Sequence, residues 1–142
     1  MEFFLRNHLP SDWSIQAIQN QNEAGVAELL AQSAIFLSFC ESEGCPLPPL
    51  EAALSGNLVV GYTGEGAKEY FHTPIFTPVH NGDFVEFVHQ TQKAITAIEG
   101  GVRQTLGYQN QLKKISNDYS IANEIEHVKV FGVKASSLMI QN

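Results

Sequence analysis

Two glutamates that enclose seven residues, Glu43 and Glu51, frame the segment with the clearest chemical potential. Between them runs Gly44-Cys45-Pro46-Leu47-Pro48-Pro49-Leu50, and Ala52-Ala53 follows. Pro48 and Pro49 suit the first turn of a helix, where a missing N–H costs nothing. The free N–H groups of that turn would point back at the loop and make it a site for a phosphate or another anion. Glu51 is then expected within the first turn, where the helix dipole favours a carboxylate. Its two oxygens could accept hydrogen bonds from neighbouring sugar hydroxyls. Glu43, just upstream, would face the same pocket. An ordinary structural account stands beside this one, because the dipole alone explains a glutamate near a helix start.

Other reactive residue types form weaker patterns. Gly64-Glu65-Gly66 follows Thr63 and is explained by a turn that needs positive φ. Cys40 and Cys45 have no partner pattern, and the histidines at 8, 72, 80, 89 and 127 show no ligand spacing, so no metal site is expected. No basic residue near Cys45 in sequence would lower its thiol pKa, and a small packed side chain is its plain role. Both cysteines read as reduced thiols of a cytoplasmic protein.

The elements that must position these residues follow from hydropathy patterning. Phe3–Arg6 is a short apolar run with strand character. Trp13, Ile15 and Ala17 alternate with polar residues, as in a half-buried strand. Val26, Leu29, Leu30 and Ala34 recur at helical spacing. Ile35–Phe39 and Leu58–Tyr62 are compact apolar runs typical of buried parallel strands. Gly56 is a natural stop for the helix between them. Ala67–Phe71 reads as a short helix and Ile75–Val79 as a third strand near an edge, because it contains Pro78. Asp83 and Glu86 resemble a capping box ahead of a long helix faced by Phe84, Phe87, Val88, Ile95 and Ile98 and ended by Gly100-Gly101. Tyr108, Leu112, Ile115 and Tyr119 mark another helical face, and Ser120 would cap a last helix running to Phe131. The tail from Val133 has no clear pattern.

Strand and helix alternate, which predicts an α/β fold: a Rossmann-like parallel sheet with helices on both faces. Residues 1–100 would form this sheet region and 101–142 a C-terminal helical extension of the same domain. In open α/β sheets ligands bind beyond the carboxyl ends of the strands. That rule selects three loops: Cys40–Leu47, Thr63–Gly66 and His80–Asp83.

Composition excludes several classes. The 142 residues are 44% hydrophobic, enough for a core, and carry a formal net charge of −7 with scattered cations. Nucleic acid and anionic membrane are therefore poor partners. No apolar run reaches the roughly 18 residues a membrane helix needs, and the N-terminus does not read as a signal peptide.

Taken together, Glu43-Gly-Cys-Pro-Leu-Pro-Pro-Leu-Glu51-Ala52 with Gly56 resembles the E-x7-E block of retaining glycosyltransferases of the GT-B fold, especially family 4, whose usual form is close to E-G-F-G-L-P-x-x-E-A-x-x-x-G. The context is similar too: the helix and strand before the block, Val59-Val60-Gly61-Tyr62 after it, and Gly64-Glu-Gly66 with Glu69-Tyr70-Phe71. The resemblance covers residues 13–98. It implies the C-terminal, donor-binding half of a GT-B fold. Glu51 would hold the ribose hydroxyls and Glu43 would act at the reacting centre. Backbone amides from Gly44, Cys45 and Leu47 would contact the donor, with Thr63 and Gly64 beside it. The donor would be a nucleotide diphosphate sugar, with no cofactor and no metal.

Departures from the pattern imply limited activity. Pro46 stands at the second loop glycine and removes a backbone N–H. Cys45 stands at an aromatic position. The family's diphosphate-binding Arg and Lys, and its acceptor-binding domain, have no counterpart here, and Arg6 is too isolated to replace them. Little or no transfer is expected from the chain alone, because neutralising leaving-group charge is usually the largest catalytic term. A separate acceptor-binding domain or chain, or a homodimer, would be its partner. The competing reading is a non-catalytic GT-B-like domain that binds a nucleotide or a protein. A nucleotide-sugar epimerase of the same fold has less support, and a response-regulator-like domain lacks its acidic cluster.

Overall fold

Ile35–Ser38 and Leu58–Gly61 are strands buried at every position, as continuous apolar runs require when both faces of a sheet are covered. They form the centre of a computed structural model that describes residues 5–18, 21–39, 47–63, 70–118 and 137–141. In chain order the elements are β1 (Ser14–Ile18), α1 (Glu23–Gln32), β2 (Ile35–Ser38), α2 (Leu47–Leu54), β3 (Leu58–Gly61), β4 (Phe76–Pro78), α3 (Phe84–Glu99), α4 (Leu106–Asp118) and β5 (Ser137–Gln141), with a 3₁₀ turn at Val102–Gln104. The sheet order is β1-β5-β2-β3-β4. β2, β3 and β4 pair in parallel, and α2 and α3 both pack against β3. The α/β, Rossmann-like class is as the sequence predicts.

β5 is the departure. It lies antiparallel to both β1 and β2, in the interior of an otherwise parallel set. An antiparallel strand in such sheets usually takes an edge. The tail that carries it shows no pattern in the sequence, so the extension after residue 100 is helical in α4 and then returns to the sheet. The expected helix from Ser120 to Phe131 lies outside the described residues.

Two shorter expectations change. Leu5 and Arg6 belong to a helical turn, not a strand; His8 N donates to Leu5 O at 2.9 Å and closes the turn locally. Arg6 Nη2 donates to Ile15 O at 3.0 Å and ties that turn to β1. Of the short helix expected over Ala67–Phe71, residues 67–69 lie outside the described residues, and Tyr70 and Phe71 lie in a turn and an irregular segment. Their rings pack on Phe76 at 5.2 and 5.0 Å, so they serve the core beneath β4.

Helix ends follow local chemistry. The Asn22 side chain accepts from Gly25 N at 2.8 Å and starts α1. Asp83 Oδ1 accepts from Glu86 N at 3.0 Å and starts α3. The Glu86 carboxylate instead accepts from Gln90 and lies near His89, so only half of the expected capping box is made. Phe87, Val88 and Ile95 are buried as expected, whereas Phe84 is 53% exposed because it opens the helix ahead of the packed face. Gly101, at φ 84°, ends the run.

Candidate functional site

β1, β2, β3 and β4 run the same way, so their carboxyl ends share one edge. The loops selected from the sequence leave from that edge. Glu43, Gly44, Cys45 and Pro46, with Gly64, lie outside the described residues. Leu47, Glu51 and Thr63 are described, as are His80–Asp83.

The edge is locked where β2 and β3 end. Tyr62 N donates to Ser38 O at 2.9 Å, and Ser38 Oγ donates back to Tyr62 O at 3.4 Å. Between these contacts sits Gly61, at φ 147°. A Cβ on Gly61 would come within 3.0 Å of the Ser38 nitrogen, carbon and oxygen. Only glycine lets the strands approach this closely. The first and second loops are thereby anchored side by side. Thr63, half-buried, follows immediately.

α2 begins at Leu47, so Glu51 sits just beyond the first turn, which contains no acidic residue. The expected dipole benefit is correspondingly reduced, since it falls off within that turn. Glu51 is half-buried, and its carbonyl accepts from Ser55 N at 3.0 Å. Leu50, Ala52 and Ala53 are buried and fix the helix against the sheet.

The far end of α2 is held by a residue that sequence reading missed. Asn57 is fully buried, and its Nδ2 donates to Leu30 O at 2.8 Å and to Ala52 O at 3.2 Å. It joins the last turn of α1 to α2. A lone asparagine between Gly56 and a strand reads as a turn residue, and no sequence signal separates the two roles.

An aromatic cluster lies below the edge. Phe39, at the end of β2, stacks on Phe87 of α3 at 4.7 Å. Tyr62 meets Phe87 edge-on at 5.4 Å and 88°, and Phe39 at 6.3 Å and 80°. These contacts tie the carboxyl end of the sheet to the first turns of α3. The third loop, His80–Asp83, lies exposed just before that helix.

A different concavity lies at the opposite end of the sheet. α3 runs back from the carboxyl edge, and Trp13 Nε1, beside the start of β1, donates to Glu99 Oε1 at 3.1 Å. There a cleft of about 360 Å³ is lined by residues that include His8, Pro10, Gln92, Ile95, Thr96 and Glu99. Gln92 closes one wall by donating to His8 O at 3.0 Å. Its polar groups are largely engaged with the chain itself. Elsewhere, burial pushes the Tyr108 phenol above its ordinary value of 10.0, opposed by the charge of Arg103, so it stays protonated at neutral pH.

Among the described residues no group of three or more His, Cys, Asp and Glu side chains could hold a metal ion, and no helix is long and apolar enough to cross a membrane. The chain is similar to an alpha-1,6-glucosyltransferase of Actinobacillus pleuropneumoniae serotype 7 (strain AP76), at 30% identity over 129 residues covering 81% of this chain and 36% of that enzyme. It spans about a third of the length of the curated relative it matches. No family model and no solved structure matches it.

Proposed function

We propose that this chain is the nucleotide-sugar-binding, C-terminal part of a retaining glycosyltransferase of the GT-B fold, family 4-like, with little or no transfer activity alone. The observation that carries the reading is Glu51, half-buried near the start of α2, the helix that follows β2 at the carboxyl edge of the sheet, a position that supports the E-x7-E resemblance. Similarity to a glucosyltransferase and a Rossmann-like sheet support it.

On this reading Glu51 accepts hydrogen bonds from the ribose hydroxyls, and the two oxygens of one carboxylate suit two neighbouring hydroxyls. Glu43 lies by the donor sugar, and the positive end of the α2 dipole favours the diphosphate, with N–H groups only from Leu47 and Leu50 in a first turn that Pro48 and Pro49 otherwise fill. In the full reaction the bond from the anomeric carbon to the diphosphate breaks. A bond to an acceptor hydroxyl forms with retention, the acceptor loses its proton, and nucleoside diphosphate leaves. The relative's larger size accommodates a second, acceptor-binding part, which this chain would meet in the same polypeptide or as a partner.

Calorimetric titration with UDP, GDP and their hexose derivatives tests this. Binding by the wild type that weakens at least about 10-fold in Glu51→Ala is expected, because hydrogen bonds to a charged acceptor are lost. No binding to any nucleotide would favour the second reading, a non-catalytic relative that binds a protein. Pro46 supports that second reading, since it removes an N–H from the loop.

A further inference from the structure

Tyr62 is 2% exposed, and its buried hydroxyl has no hydrogen-bond partner among the described residues. Every other part of the residue is engaged. Its N–H and carbonyl bind Ser38, and its ring is held edge-on by Phe87 and Phe39. The ring therefore cannot swing away to satisfy the hydroxyl without breaking the aromatic cluster. A buried hydroxyl without a partner is destabilising, and such groups are rare in folded proteins. Phenylalanine would keep the ring contacts without that penalty. The residue also stands at a telling place: it directly follows β3 at the carboxyl edge, between Gly61 and Thr63.

We propose that the Tyr62 hydroxyl makes its hydrogen bond only in the ligand-bound protein, to an acceptor oxygen of the bound nucleotide sugar. This rests on the function proposed above. The hydroxyl is enclosed in the free chain, so the contact forms with a local rearrangement at the carboxyl edge. Tyr62 then acts as a binding residue whose polar atom is held in reserve, while its ring is structural.

The test is Tyr62→Phe in the full chain, followed by thermal melting without ligand and by titration. The titrants are whichever of UDP or GDP the wild type binds, and the corresponding nucleotide glucose. The free variant should melt at or above the wild-type temperature, because an unsatisfied group has been removed. Its affinity should fall about 3- to 10-fold, the worth of one hydrogen bond. A loss seen with both ligands assigns the contact to an oxygen of the nucleotide. A loss confined to the nucleotide glucose assigns it to a sugar oxygen. Unchanged affinity overturns the proposal. So does a lower melting temperature in the free variant, which would mean that the hydroxyl already has a partner, such as a buried water. Failure of the wild type to bind any nucleotide sinks the functional reading and this proposal together, whereas binding that is indifferent to Tyr62→Phe sinks only this one.

Discussion

Gly61 is the residue on which the geometry of the edge depends most directly. Its positive φ and the Ser38 backbone beside it leave no room for a side chain. Gly61→Ala combines backbone strain with a clash against atoms that cannot rotate away. Each effect is of the order of 1–3 kcal/mol, so a loss of about 3 kcal/mol or more is expected in urea denaturation. Nucleotide affinity should fall with it, since both loops hang from this junction. Asn57 illustrates the limit of reading residues singly. Its identity is compatible with a turn, and only the fold shows its amide bridging Leu30 and Ala52. Tyr62 is similar: it reads as the end of an apolar strand, and the stranded hydroxyl is a property of packing alone.

Elements whose pattern is local were legible. β2 and β3 could be read because four consecutive buried positions leave a continuous apolar run. α3 could be read because Asp83 caps it, its apolar face repeats over 16 residues and two glycines end it. Asp83→Ala should cost about 1 kcal/mol, the usual worth of such a cap, in chemical denaturation. The first turn of α2 was misjudged by about one residue, which moved Glu51 out of the strongest part of the dipole. Prolines suit several first-turn positions, so they mark a helix start without fixing it. The turn at Leu5–Arg6 was misread as a strand, because three apolar residues before an arginine carry no periodicity that separates the two.

For the molecule as a whole, the interior position of β5 was not legible. Leu138–Ile140 is only a three-residue apolar run, and its partners lie in β1 and β2, far away in sequence. Its five residues pair with β1 and four of them also with β2. A chain ended after Asp118 would leave β1 and β2 separated, with both facing edges unpaired. Backbone groups buried without partners are costly, and total stability is only about 5–15 kcal/mol. The shortened chain should therefore lose its cooperative thermal transition in circular dichroism and aggregate. A sharp melt near that of the full chain would show that β5 is dispensable. The candidate site was read from one segment, Glu43 to Glu51, of which only Leu47 to Glu51 fall among the described residues, on α2. The neighbouring contacts that hold it were not legible, because Ser38, Gly61 and Tyr62 meet across two strands.

The proposed function places the ligand where β2 and β3 end. Amide chemical-shift mapping by heteronuclear NMR, with the nucleotide that binds in calorimetry, tests it most directly. The largest shifts are expected at Phe39, at Leu50 and Glu51 in α2, and at Tyr62 and Thr63, with little change at Trp13 or Glu99. Shifts concentrated instead in the cleft between His8 and Glu99, at the opposite end of the sheet, would contradict it.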